Sequence, residues 1–119
     1  MSTINYVPVL LLLPLLFGLC NASFVTIHIL NILSDDVLLF CTSQPGINAH
    51  LHPQNPFYWS FPAETSENCF TDWHELRAPF SAYDSHYDQG HPNIYWMVKQ
   101  DGLYHSWDNK SFVKKVGWN

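Results

Sequence analysis

Charge is scarce in this sequence. Only 13% of its 119 residues are charged, five Lys and Arg against ten Asp and Glu, where a globular chain usually carries about a quarter. So few basic residues at a net charge of −5 exclude a generic nucleic-acid binder. The hydrophobic share of 47% and aromatic share of 16% exclude a disordered polymer. Glycine-rich phosphate loops are missing, and so is the Gly-x-Ser-x-Gly turn that presents a serine nucleophile. No long stretch spaces its apolar residues as an amphipathic helix would. The apolar run at 7–19, VPVLLLLPLLFGL, is broken by Pro8 and Pro14 and falls short of the ~20 residues that cross a bilayer.

That run suits the apolar region of a secretory signal, and Cys20-Asn21-Ala22 supplies the small-x-small cleavage pattern after it. The expected organisation is a signal peptide over 1–22 and one domain over 23–119, secreted to the cell exterior. Removal of the leader takes Cys20 with it and leaves Cys41 and Cys69, an even pair in an oxidising compartment, as the expected disulfide. Asn109-Lys110-Ser111 is the glycosylation sequon inside 23–119 and marks Asn109 as a candidate acceptor.

Short segments of strand character follow one another, punctuated by Pro, Gly, Asn and Asp. Residues 24–32 place Val25, Ile27 and Ile29 on one face, and 37–41 is a short buried-strand run. Strands are also expected at 47–52 and at 57–61, where Phe57, Trp59 and Phe61 alternate with polar positions. Further strands at 69–74 and 80–84 are expected to be linked through Arg77-Ala78-Pro79. Residues 94–107 read as a hairpin turning on Asp101-Gly102, which would set Gln100 opposite Leu103, Val98 opposite His105 and Trp96 opposite Trp107. The fold class is therefore all-β, a small antiparallel β-sandwich of seven or eight strands.

Seven histidines invite a metal reading, and His50 and His52 would point the same way from one strand. A zinc site needs three or four ligands, and the spacing identifies no third, so partly exposed strand histidines are the simpler account and no metal or cofactor is expected. Lys110, Lys114 and Lys115 gather three of the five basic residues near the C-terminus. They read as a solvated tail, or as a weak contact to an acidic wall or membrane surface.

Ile29-Leu30-Asn31, Phe40-Cys41-Thr42-Ser43 and Phe57-Tyr58-Trp59-Ser60-Phe61, taken in order, resemble the plant self-incompatibility S-protein homologues. The resemblance continues through Cys69-Phe70-Thr71-Asp72-Trp73, Phe80-Ser81-Ala82-Tyr83 and 96–104, and so spans nearly all of 23–119. Phe40 stands where that family usually has His, and His91 and Ile94 stand where it tends to carry a late Cys-x-x-Cys, which marks a divergent member. The resemblance implies a secreted, non-enzymatic β-sandwich that acts as an extracellular ligand of a cell-surface membrane protein, with no catalytic residues. Variable loops on a rigid sandwich are the expected contact surface. Here these are 44–48, with Gln44 and Asn48, and 85–93, with His86, Tyr87 and His91. A monomer is expected. The competing expectation is a secreted His-metal protein, hydrolytic in its further form, built around His50 and His52.

Overall fold

The computed structural model describes residues 23–43 and 46–119. The leader expected at 1–22 and the contact residue Gln44 lie outside the described residues.

Among the described residues nine strands form in chain order: β1 (Phe24–Asn31), β2 (Val37–Cys41), β3 (Ile47–Leu51), β4 (Phe57–Pro62), β5 (Glu67–Trp73), β6 (Leu76–Tyr83), β7 (Asn93–Lys99), β8 (Gly102–Ser106) and β9 (Val113–Val116). They make two layers, a five-stranded sheet in the order β4-β1-β7-β8-β9 and a four-stranded sheet in the order β3-β2-β5-β6. The alternation of β1 does what the sequence predicts: Val25, Ile27 and Ile29 are buried while Thr26, His28 and Leu30 are half-buried. They meet Leu39, Ala78, Phe80, Ile94, Trp96 and Val98 from the other elements in one core. The Trp96 indole also donates to the Ala82 carbonyl at 2.9 Å, tying the layers together.

Three expectations need correction. The strand count among the described residues is nine, because Val113-Lys114-Lys115-Val116 is an edge strand rather than a solvated tail. Only one of its faces needs to be apolar, and charged residues are common on edges, so no alternation announces it. The β1 and β7 pair is parallel, with Ile29 opposite Trp96, so that sheet is mixed. Arg77-Ala78-Pro79 belongs to β6 rather than to a linker, and the turn is His74-Glu75, with His74 at φ 58°. Proline is tolerated there because β6 is an edge of its sheet, where a missing N–H breaks no interior ladder.

The β7–β8 hairpin also slides. Lys99 faces Gly102, Val98 faces Leu103 and Trp96 faces His105, so the loop is Gln100-Asp101. The slide is two residues, which keeps every side chain on its expected face while changing its partner. Gly102 opens β8 at φ 148°, and a Cβ there would lie 2.1 Å from the Val116 carbonyl oxygen. The glycine is thus required by the close approach of β9. Gly102→Ala is expected to cost about 2–3 kcal/mol, from overpacking plus backbone strain, and to expose β9 amides to hydrogen exchange; unchanged exchange at 113–116 would contradict this.

Topology sorts the connections by end. Those joining β2–β3, β4–β5, β6–β7 and β8–β9 leave from one end of the sandwich, and the remaining ones from the other. Cys41 and Cys69 sit opposite each other on β2 and β5 and are joined as a disulfide close to the first of these ends.

Candidate functional site

The β6–β7 connection is built on two aspartates four residues apart. Asp84 Oδ1 accepts the backbone N–H groups of His86 (2.9 Å) and Tyr87 (3.0 Å), as a short acidic side chain does when it stands in for a turn. Asp88 closes the same turn from its other side: its Oδ2 accepts the Asp84 N–H at 2.8 Å, and its own N–H donates to the Asp84 carbonyl. The Asp88 side chain then points inward, where Oδ1 lies 2.8 Å from His105 Nε2 and accepts the Trp107 indole N–H at 2.7 Å. Asp88 is 1% exposed and His105 4%, so a loop and strand β8 are riveted together by a buried carboxylate.

Above this rivet the rings turn outward. Tyr87 is 51% exposed and Trp107 38%. Their centroids are 5.1 Å apart, and His91 stacks on Trp107 at 4.1 Å with its plane tilted by only 4°. Lys115 reaches in from β9, its ammonium 4.0 Å from the Tyr87 ring centroid and donating to the Tyr87 hydroxyl at 2.9 Å. The arrangement is a preorganised aromatic surface, in which large rings are offered to solvent but fixed from below. Exposed Trp and Tyr on rigid supports are the usual carriers of protein-binding energy.

Two of the sequence-named loop residues, Tyr87 and His91, are brought into this surface. His86 is exposed on the same turn. Asn48 is exposed but lies within β3, paired with Phe40, so it is a strand residue and not part of a loop. Trp107, Asp88, His105 and Lys115 were not singled out for this site. The available signal was the Asp84/Asp88 spacing in a loop and the polar Asp-Asn-Lys-Ser run after Trp107. The β9 lysines turn to different partners: Lys114 Nζ lies 3.6 Å from Asp101, while Lys115 turns to Tyr87. Asn109 is exposed in the β8–β9 connection at φ 61°, where the Asp108 carboxylate accepts the N–H groups of Lys110 and Ser111.

His50 and His52 do share a face, their rings 6.3 Å apart, but His52 Nδ1 turns to the Asp36 carboxylate at 3.1 Å. Among the described residues, the set of three metal-ligating atoms brought within 4.8 Å is Cys41, Glu67 and Cys69, and the disulfide engages both sulfurs. Glu67 is fully buried beside it, accepting from Ser43 Oγ at 2.6 Å and from the Trp59 indole at 3.1 Å.

The aspartates of the two connections carry a pH signature. Burial opposes ionisation of Asp88, yet hydrogen bonds from His105, the Asp84 amide and Trp107 outweigh it and hold its carboxyl below the usual range. Backbone N–H groups of Tyr87 and His86 lower Asp84. Those of Ser111 and Lys110 bring Asp108 down to about 2. A depressed folded-state value stabilises the fold above the unfolded carboxylate value near ~4 and loses that contribution as protons bind below it. The thermal midpoint is therefore expected to gain nothing from these groups on going above about pH 4 and to fall between about pH 4 and 2. A midpoint unchanged down to pH 2 would contradict these assignments.

No protein-family model and no curated protein matches the chain. Among solved structures it is similar to one described as that of SPH (Self-Incompatibility Protein Homologue) proteins, "a widespread family of small, highly stable, secreted proteins from plants". The superposition has a TM-score of 0.66 and covers 82% of this chain and 96% of that one, at 14% sequence identity. At that identity the likeness is one of fold: the sandwich described above is similar to that of the SPH structure.

Proposed function

We propose that this chain is a secreted plant protein of the self-incompatibility homologue type, and that it works without catalysis as an extracellular ligand. Its target is a membrane protein on a cell surface, held by the loop end of the sandwich. The observation that carries this reading is the Tyr87–Trp107–His91 surface, with the Tyr87 and Trp107 rings exposed, His91 half-buried against Trp107, and Asp88 holding Trp107 from beneath. A loop that had only to connect β6 to β7 would not need a buried carboxylate holding two aromatic side chains. The sequence resemblance and the shared fold supply the secreted context. The Asp88–His105 pair is spent on structure in this reading, since both carboxylate oxygens already accept hydrogen bonds from the scaffold.

The test uses residues 23–119 secreted from eukaryotic cells, labelled, and titrated onto intact plant cells and pollen tubes. Saturable binding, competed by unlabelled protein and retained in moderate salt, is the expected result. A Tyr87→Ala/Trp107→Ala pair is expected to weaken it at least ~30-fold, since each ring of such a cluster contributes about 1–2 kcal/mol. Binding that vanishes with salt and ignores the aromatic variants would assign the contact to the lysines instead. Absence of saturable binding would remove the reading.

A further inference from the structure

A cavity of about 300 Å³ is lined by residues of the edge strands β6 and β9, of β7 and β8, and of the β6–β7 connection. It is lined by Phe80, Tyr87, Trp96, His105 and Lys115 together with Asp84 and the buried Asp88. We propose that this cavity is a socket for a basic side chain, lysine or arginine, projecting from the partner protein. The proposal deepens the reading above and rests on it for the existence of a partner.

Aromatic walls closed by carboxylates are what a cation selects. The negative ring faces attract it, and the Asp84 carboxylate, which has an oxygen to spare, neutralises it. Phe80 and Trp96 meet edge-to-face at 4.8 Å, and His105 meets Trp96 edge-on at 5.2 Å, so the walls are already set. The chain itself shows the preference: the Lys115 ammonium occupies the Tyr87 face at 4.0 Å. Asp84 spends Oδ1 on two backbone N–H groups, while its Oδ2 accepts no hydrogen bond among the described residues. Hydrogen bonds to both aspartates favour their ionised forms. A net charge of −5 steers basic partners toward the chain and acidic ones away. Lys115 is then a placeholder, exposed and on an edge strand, that an incoming basic side chain displaces.

This role of Lys115 fixes the sign of the test. The indole N–H resonances of Trp96 and Trp107 are followed while acetyl-Gly-Arg-Gly-amide, its lysine counterpart, and norleucine and glutamate controls are titrated into residues 23–119. The arginine and lysine peptides are expected to move the resonances saturably, and the controls are not. Lys115→Met is expected to tighten the basic peptides by about 5-fold by removing the internal competitor, and Asp84→Asn to weaken them by at least as much, while Lys110→Met changes nothing. The proposal is overturned if the glutamate peptide binds and Lys115→Met abolishes it, if norleucine binds equally well, or if no peptide moves either resonance. Silent peptides with intact cell binding through Tyr87 and Trp107 would sink the socket alone. Titrating peptides without cell binding would sink the wider reading alone.

Discussion

Replacing Asp88 by alanine is expected to destabilise the domain by about 4 kcal/mol, because one buried carboxylate serves three hydrogen-bond partners that all lose it together. The loss has three parts. The Trp107 indole and the Asp84 amide each lose their acceptor, and the buried His105 imidazole loses the carboxylate at 2.8 Å. Losing its partner costs the buried His105 about 1–3 kcal/mol, and the part-buried Trp107 and Asp84 donors about 1 kcal/mol each. For a domain of this size the melting temperature is expected to drop by about 15 °C or more. Asp88→Asn keeps an acceptor for Trp107 but turns an amide N–H₂ toward one of the other donors, so roughly half the loss is expected. Differential scanning calorimetry of the two variants checks the order. Equal melting temperatures for wild type and Asp88→Ala would mean that the rivet carries no load, and the preorganised surface would lose its support. The alanine variant also loses one of the carboxyls held below the usual range, so its melting temperature should vary less between about pH 4 and 2.

Removing the disulfide is the second large effect. Cys41 and Cys69 are separated by 28 residues, and in the chain-entropy account closing a loop of that length stabilises the fold by about 3.5 kcal/mol. Both cysteines are buried, so no competing exposure effect is expected from the replacement. The Cys41→Ala/Cys69→Ala variant should melt about 15 °C lower than the oxidised protein and, unlike it, should be indifferent to strong reductant. The loss should act on the β2–β3 and β4–β5 connections first, because the bridge lies at that end and Glu67, beside it, accepts from Ser43 and Trp59 across the same end. A melting temperature within about 3 °C of wild type would show that the pairing of β2 with β5 holds the end unaided.

Legibility in the sequence follows how local the deciding interaction is. Strands β1 and β4 were readable because alternation is written into consecutive residues: Val25, Ile27 and Ile29 in one, Phe57, Trp59 and Phe61 in the other. The cysteine pair and the loop bearing Tyr87 and His91 were readable for a similar reason, from counting and from turn-forming residues. Strand β9 was not, since Lys114 and Lys115 break the apolar pattern and its place is set by Gly102 receding before Val116. Pro79 argued for a linker and sits instead in an edge strand, a distinction visible only once the strand order is known. The hairpin register missed by two residues because the turn type alone favoured Asp101-Gly102, while the approach of β9 decides where the glycine goes. Asn48 was given both to the expected strand at 47–52 and to the loop at 44–48, and its pairing with Phe40 places it in the strand. The site's foundation was the least readable part. Asp88 finds His105 and Trp107 at separations of 17 and 19 residues, and nothing local to any of the three announces the meeting.

The measurement that bears most directly on the account is hydrogen-exchange footprinting of residues 23–119, free and bound to solubilised plant-cell surface membranes. Binding by the loop end predicts slowed exchange across 84–92 and 107–112, with the turns at 32–36, 74–75 and 100–101 unchanged. Protection confined to those opposite turns, or to the outer face of the five-stranded sheet around His28 and Tyr95, would place the contact elsewhere and contradict it.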